Sequence, residues 1–335
     1  MENPNSPIQT SKNQHWASIK EAGTLGGMKF LYFLYRIFGR KTFSIAMYPV
    51  ALYFVLFRAS SRRASFEFLT HHYQKYPQYW KTVPHYGHVL LHFHHFADVI
   101  LDKLLGWISD IDESEFVLSS QESIDALMQD TRGQLIIGSH FGNLEYCRGF
   151  MQRYKNKVIN ILLYDKHSGN FVEMMQNESE RSRLNVFQVD EFDVATIVML
   201  QQKINQGEWV FIAGDRVPLS GLQRTVNVNF LDDIAPLPIG PYLLAKALAC
   251  PVKLMFAYRH ASVDNKIIFD VIPLSEKVIL SQKNRTNDLE NYAQQFAIKL
   301  EEHCAHAPLQ WFNFYHFWQP HSHENTASQK QTPTK

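Results

Sequence analysis

Residues 138–145 read GSHFGNLE and follow an apolar run that predicts a buried strand. His140 would then stand at the end of this strand, at the sheet edge where α/β proteins bind ligands. Gly142 allows a sharp turn into a helix, and Glu145 would lie in the first turn of that helix, where the dipole stabilises a carboxylate. A carboxylate bonded to one ring nitrogen makes the other nitrogen a better base. The spacing therefore predicts a general base, His140, oriented by Glu145.

The sequence supplies no nucleophile beside this base. It contains no G-x-S-x-G elbow, and Cys147 would point along the predicted helix, away from the strand end. A histidine–carboxylate pair without a nucleophile suits direct deprotonation of a substrate hydroxyl or amine. Asn143, between the two members of the pair, is a candidate substrate-binding residue. Taken alone, the short His-x4-acid pattern fits equally well a histidine that ends a strand and a glutamate that begins a helix.

A second polar group follows another predicted strand. Asp215 and Arg216 come just after the apolar residues 209–213. Asp215 could hold an acceptor hydroxyl or fix Arg216, and Arg216 could bind a phosphate or sugar or neutralise a tetrahedral oxyanion. The structural alternative is a buried Asp–Arg pair that braces the loop. Gly240, before a helix that begins at Pro241, could add backbone donors for an anionic group.

The elements that must position these groups begin near Phe116. From there, short apolar runs alternate with amphipathic segments, a pattern typical of an α/β domain. Strands are predicted at residues 134–139, 158–163, 186–189, 208–213, 225–230, 252–258 and 267–272. Helices are predicted at residues 143–153, 168–181 and 194–205, and from Pro241 and Asn287. The predicted fold class is α/β, with a central mixed sheet flanked by helices and an N-terminal hydrophobic helical anchor region.

The predicted anchor lies in residues 28–57. Lys29, Arg36 and Arg40 would form a basic stripe on an aromatic and aliphatic helix, which suits the headgroup region of an anionic leaflet. The uncharged residues 42–57 would span about 24 Å, short of the roughly 30 Å hydrocarbon core, and Pro49 would kink them. Both flanks are basic, which disfavours a full crossing. We expect a kinked helix that dips into the cytoplasmic leaflet; the alternative is a buried helix hairpin.

The chain therefore divides into four predicted regions. Residues 1–25 form a disordered tail without the pattern of a secretory signal, and residues 26–115 form the helical membrane-associating region. Residues 116–320 form the α/β domain, and residues 321–335 form a second disordered tail.

Composition excludes several other classes of protein. The 335 residues are 45% hydrophobic and 19% charged, so a sizeable core is expected, and a net charge of +1 gives no reason to expect nucleic acid as a partner. The three cysteines have neither metal nor disulfide spacing, as in a reduced protein that faces the cytosol. His88, His92 and His95 would share a helix face. Metal-binding helices usually add a carboxylate, whereas this face continues with Val99, so we predict no metal site.

The arrangement around residues 138–145 resembles the lysophospholipid acyltransferase superfamily, in which His-x4-Asp/Glu is the catalytic signature. The resemblance is closest to the branch that contains the late acyltransferases of lipid A biosynthesis. It extends from about Trp16 to Trp318 and is carried by HWASIKEAGTLGGMKFLYFLYRIFGRK, HFGNLE, GEWVFIAGDRVP, VNVNFLDDIAPLPIGPYLLAKALACPV and APLQWFNFYHFW. The forms GDRVP and QWFNFYHFW are similar to a sub-branch associated with glycolipid and aryl-polyene lipid pathways.

The resemblance implies an enzyme that uses His140 and Glu145, with an acyl chain carried on acyl carrier protein as donor and no cofactor. The expected reaction moves a fatty acyl or related polyene acyl chain to a hydroxyl or amine of a membrane lipid or glycolipid. The implied location is the cytoplasmic face of a bacterial inner membrane. A non-catalytic membrane-associated scaffold of the same fold is the alternative.

Departures from the superfamily narrow this expectation. Ser139 precedes His140 where glycerol-phosphate acyltransferases carry asparagine, and no FPEGT-like motif is present, so a phosphatidic-acid-forming enzyme is disfavoured. FLDD, with Asp232 and Asp233, replaces the FLG that is usual in the family. The contacts that the family makes at this loop are therefore not expected in this chain. Because the lipid A enzymes lack the GDR form, lipid A itself is not the default acceptor.

Overall fold

The structure is a computed structural model that describes residues 25–108, 113–143, 146–147, 157–163, 184–188, 193–217, 224–260 and 266–318. The predicted tails lie outside these residues except for Leu25, which begins the first helix. Most of the helices predicted at residues 143–153 and 168–181 also lie outside them.

The N-terminal region is helical. Its helices are α1 (Leu25–Phe57), α2 (Ala59–Lys75) and α3 (Tyr86–Ile108). The α1 backbone leaves the helical conformation at Gly39, which has φ 74° and ψ 178°, whereas Pro49 lies within a helical part. The break in α1 therefore lies at Gly39, where glycine tolerates a positive φ, ten residues before the kink that was predicted at Pro49.

The second part of α1 is apolar on two sides, only one of which is covered. Phe43 and Met47 are buried against Leu101 of α3. On the other side Ile45, Leu52 and Leu56 are 69%, 45% and 58% exposed. By length and composition, no single helix among the described residues could cross a bilayer. The two segments Lys41–Phe57 and Ala59–Lys75 have the length and composition for a crossing only when they are taken together, and the chain bends by 98° between them.

The α/β core contains a seven-stranded mixed sheet. The first five of its strands along the chain are β1 (Phe116–Leu118), β2 (Gln134–Gly138), β3 (Ile159–Leu163), β4 (Leu184–Gln188) and β5 (Trp209–Ala213). The last two are β8 (Val252–His260) and β9 (Lys266–Ser275). The strand order is β1-β9-β8-β2-β5-β3-β4, and every pair is parallel except β8 with β9. The predicted α/β class with a mixed sheet is confirmed.

Strands β6 (Thr225–Phe230) and β7 (Asp233–Pro238) form a separate antiparallel hairpin. The sequence did not predict β7, because Pro236 and Pro238 argue against a strand. Both strands of a two-stranded hairpin are edge strands, which tolerate residues without an N–H group. The short edge strand β1 was also missed.

Helices cover both faces of the sheet. The remaining helices are α4 (Gln121–Gln129), α5 (Val194–Asn205), α6 (Gly240–Leu248) and α7 (Arg285–His306). Strand residues alternate between two cores: Leu135 and Ile137 pack in the cluster that includes α5, α6 and α7, whereas Ile136 packs with Ile124 of α4. Strand β2 is fully buried, as its apolar sequence predicted.

Glu301 of α7 links the N-terminal helices to the hairpin. Its Oε1 accepts hydrogen bonds from Lys75 Nζ and Tyr76 Oη, both at 2.7 Å, and its Oε2 accepts the backbone N–H of Leu231 at 2.6 Å. Leu231 and Asp232 have φ values of 55° and 62°, as in a two-residue hairpin turn, and Asp232 also pairs with Lys75 at 2.8 Å.

We expect Glu301→Gln to lower the free energy of unfolding by about 1–3 kcal/mol, because the amide loses charge-assisted hydrogen bonds from three donors. Glu302→Gln is the matched control on the same helix. It breaks a pair with Lys299 in which Glu302 is 53% exposed, and should cost less than about 0.5 kcal/mol. Urea denaturation measures both values, and equal values would contradict a stabilising role for Glu301.

Candidate active site

His140 and Asp215 meet at the carboxyl edge of the sheet because their strands are neighbours. Gly138 ends β2, Ala213 ends β5, and the two residues are register partners. The backbone N–H of Gly214 donates to the carbonyl of Gly138 at 2.9 Å, so the two loops leave the sheet together. Each loop then places its polar residue two positions beyond its strand.

The contact between the two residues is bidentate. His140 Nδ1 lies 2.8 Å from Asp215 Oδ1, and the backbone N–H of His140 donates to Asp215 Oδ2 at 2.7 Å. An ionised carboxylate only accepts hydrogen bonds, so Nδ1 carries the proton and the lone pair of the neutral ring is on Nε2. The Asp215 side chain is 2% exposed and that of His140 is 32% exposed. A buried carboxylate thus holds a partly accessible imidazole in the tautomer of a base.

Electrostatics favour the charged form of Asp215. Burial by itself raises the pKa of this carboxyl, but the positive charge and hydrogen bonds of His140, together with the charge of Arg216, bring the pKa below its usual value. Asp215 is therefore ionised at neutral pH, and it can stabilise an imidazolium formed at His140.

The C-terminal segment, residues 308–318, passes beside His140 and Asp215 and contacts both. Trp311 Nε1 donates to Asp215 Oδ2 at 3.0 Å, and Tyr315 Oη donates to the Asp215 carbonyl at 3.0 Å. The backbone N–H of Phe312 donates to the His140 carbonyl at 2.9 Å. Arg216 Nη2 donates to the Phe312 carbonyl at 3.1 Å. The segment thus contacts both loops of the site.

The turn after His140 is tightly packed. Gly142 has φ 67°, as expected for a sharp turn, and its N–H donates to the Gln310 carbonyl at 2.7 Å. The backbone N–H of Asn143 donates to the Ala257 carbonyl at 2.8 Å. Tyr146, also buried, donates to Asp102 of α3. The loop that carries His140 is therefore fixed to β8, α3 and the C-terminal segment.

The structure brings His140, Asn143, Asp215 and Arg216 to one edge of the sheet. Asn143 is 1% exposed. Gly240 begins α6, and its predicted role as a backbone donor for an anionic group stays a prediction. Glu145 lies outside the described residues, so its role stays a prediction.

Two features of the site were not predicted from the sequence. Asp215 is hydrogen-bonded to His140, a contact that was not among the interpretations of its loop. The signal for this contact is that two apolar strands end in polar residues at equal distance from the strand ends. Trp311 and Tyr315 were also missed, because an aromatic stretch of this kind is by default expected to form core.

In the described part of the chain, no group of three or more histidine, cysteine, aspartate or glutamate residues could hold a metal ion. His92, one of the three histidines considered for a metal, donates from Nε2 to the Trp311 carbonyl at 2.9 Å and accepts at Nδ1 from Ser65 at 2.8 Å.

Comparison with known proteins gives one family. The model of the family described as bacterial lipid A biosynthesis acyltransferase matches residues 84–319, which is more than two thirds of the chain and includes every residue of the site. No match is found among curated proteins.

We expect Gly142→Ala to lower the free energy of unfolding by more than about 3 kcal/mol, since its Cβ would lie 2.1 Å from the Ala257 carbonyl oxygen at a positive φ. Gly39→Ala is the control. It has φ 74° with nothing within 4 Å of the new Cβ. The strained backbone conformation alone should therefore lower the free energy of unfolding, by about 1–2 kcal/mol. Thermal and urea unfolding measure both, and equal losses would show that the close approach to β8 is unimportant.

Proposed function

Because the chain belongs to the bacterial lipid A biosynthesis acyltransferase family, we propose that it transfers a fatty acyl or related polyene acyl chain from an acyl carrier protein thioester to a hydroxyl or amine of an envelope lipid or glycolipid. The observation that carries this proposal is the pair of His140 and Asp215, with Nδ1 and Oδ1 2.8 Å apart at the open edge of the sheet. This pair is the arrangement that a general base requires.

In the proposed reaction, His140 Nε2 removes the proton from the acceptor hydroxyl or amine while its oxygen or nitrogen attacks the thioester carbonyl carbon. A tetrahedral oxyanion forms. It collapses as the carbon–sulfur bond breaks, and the imidazolium returns its proton to the departing thiolate. The products are an ester or amide and the free carrier thiol. Asp215 stabilises the transient imidazolium, so no cofactor is needed.

Arg216 places a positive charge directly after Asp215 in the same loop. It is partly buried, and one of its guanidinium N–H groups is committed to the Phe312 carbonyl. Its charge acts on Asp215 from the same loop. We assign to Arg216 the stabilisation of the tetrahedral oxyanion or of a phosphate on the glycolipid acceptor, both of which are anions that a guanidinium binds well.

We also propose that the protein acts at the cytoplasmic face of a bacterial inner membrane. The support comes from the uncovered side of α1, where Ile45, Leu52 and Leu56 are exposed. Lys41 precedes this side, and Arg58 and Arg63 follow it; all three are exposed. An apolar helix face with basic ends fits the interface of an anionic leaflet.

We expect His140→Ala to lower acyl transfer by about 10²–10⁴-fold while leaving the fold intact, because a positioned base contributes this much. Asp215→Asn removes the charge that stabilises the imidazolium and should lower transfer by a similar factor. The two losses should not add in the double variant, since a base and its orienting group act as one unit. Mass spectrometry of envelope lipids in cells, and thiol release from acyl carrier protein thioester in vitro, measure transfer.

Asp270→Asn is the matched control. Asp270 forms another His–Asp pair, with His303 Nε2 at 3.2 Å, but its two members lie on β9 and α7 and not on the loops after β2 and β5. Its variant should retain transfer within about two-fold. Near-normal transfer in His140→Ala would contradict the proposed function, and an unchanged lipid profile on deletion of the protein would favour the scaffold.

The membrane proposal is tested by Ile45→Asp, Leu52→Asp and Leu56→Asp together. Each side chain gains up to about 1.5–3 kcal/mol when it is buried in lipid, so the triple variant should no longer float with anionic vesicles. Val194→Asp, Ile279→Asp and Ile298→Asp together form the control. These residues are 81%, 69% and 47% exposed and add the same charge elsewhere. Equal flotation of both triple variants would contradict membrane binding through α1.

A further inference from the structure

Trp311 lies between the proposed catalytic pair and the N-terminal helices, and it is bonded to both. Its indole Nε1–H donates to Asp215 Oδ2 at 3.0 Å. Its carbonyl accepts from His92 Nε2 of α3 at 2.9 Å, and His92 Nδ1 accepts from Ser65 of α2 at 2.8 Å. A continuous chain of hydrogen bonds thus runs from α2 through α3 and Trp311 to Asp215 and His140.

The members of this chain are buried and fixed. Ser65, His92 and Trp311 are 0% exposed. Burial lowers the pKa of His92 to about 3, so the ring is neutral and its single N–H is donated to Trp311. The indole packs edge-on against Phe68 and Phe317, each with ring centroids 4.9 Å away. Neither the ring nor the carbonyl of Trp311 can move without breaking these contacts.

The position of the indole determines how Asp215 is turned. A carboxylate rotates about its Cβ–Cγ bond unless donors fix both oxygens. Here Oδ2 accepts two N–H groups, from the His140 backbone and from Trp311, which leaves Oδ1 directed at His140 Nδ1. The indole is the one of these donors that comes from outside the two strand-end loops.

We propose that Trp311 is a positioning residue of the acyl transfer reaction: its indole N–H holds the Asp215 carboxylate in the orientation that directs Oδ1 to His140. This role rests on the proposed function, since it assigns to Trp311 an effect on the base of that reaction. Trp311 acts through Asp215 and does not itself contact the reacting atoms.

The test compares Trp311→Phe with Trp318→Phe. Trp318 is a second buried tryptophan of the C-terminal segment, and its indole N–H donates to the Phe230 carbonyl at 3.2 Å. Each substitution removes one indole hydrogen bond and the same ring volume, but only the first reaches Asp215. Steady-state rates are measured as thiol release from a myristoyl thioester of acyl carrier protein, with a total envelope-lipid extract as acceptor.

Trp311→Phe should lower kcat by about 10–100-fold with KM for the thioester unchanged within two-fold, because a misdirected base costs rate and not substrate binding. Trp318→Phe should leave both constants within two-fold of the wild type. β-(3-Benzothienyl)alanine at position 311 replaces the N–H with sulfur in a ring of the same shape. This variant supplies the comparison if the phenylalanine variant does not fold.

A second measurement needs no acceptor. Diethyl pyrocarbonate modifies neutral imidazole, and mass spectrometry of the peptide that contains His140 gives its rate of modification at each pH. Among the described residues, the ionisable groups near the pair and Trp311 include Arg216, Cys304, Tyr315, His92 and His95. Burial raises the pKa of Cys304 and Tyr315, and it lowers the pKa of His95 and brings that of His92 to about 3.

Without the indole N–H, Asp215 is no longer held toward His140 and stabilises the imidazolium less, so the midpoint of His140 modification should fall by about half a pH unit in Trp311→Phe and stay unchanged in Trp318→Phe. Wild-type kcat and midpoint in Trp311→Phe would overturn the positioning role even if His140→Ala is inactive. Wild-type transfer in His140→Ala would instead overturn the proposed function, and the midpoint would still show whether Trp311 acts on His140.

Discussion

The buried carboxylate of Asp215 is the constraint on which the site depends. A charge at 2% exposure is unfavourable by several kcal/mol unless hydrogen-bond donors surround it. The donors here are the His140 backbone, the His140 ring and the Trp311 indole. They come from the loop after β2 and from the C-terminal segment, while Asp215 follows β5. The charge of Asp215 therefore requires that β2 and β5 be neighbours and that the C-terminal segment pass beside them.

This requirement also explains why the N-terminal helices belong to the same structural unit as the sheet. His92 of α3 fixes the Trp311 carbonyl, and His72 of α2 is hydrogen-bonded through Nε2 to the Cys304 carbonyl at 2.9 Å. Burial lowers the pKa of His72 to about 4, so it too is neutral. Both histidines act as uncharged donors at the point where helices meet the end of the chain. The helical region predicted for membrane contact thus also supports the site.

The sequence predicted β2 and β5 and the polar residues beyond them, because strand ends are local features. Strand β6 was predicted with its observed bounds, and β2 and β5 to within one residue. The contact between Asp215 and His140 depends on strand order, which apolar periodicity does not encode. Trp311 is far from both in sequence, and its aromatic neighbours give no sign of which ring donates to a carboxylate. Gly142 was predicted correctly because a turn of this kind has few alternatives.

Asp215 contacts His140 in the structure, whereas Glu145, the partner predicted from the sequence, lies outside the described residues. A neutral imidazole has one N–H, and at Nδ1 that proton is donated to Asp215. Orientation through Nδ1 is therefore performed by Asp215, and the orienting role that the sequence predicted for Glu145 stays a prediction. A carboxylate bonded at Nε2 would compete with the acceptor for the nitrogen that must take its proton. Glu145 lies outside the described residues, and a second negative charge near the imidazole would favour the imidazolium in the same way as Asp215 does.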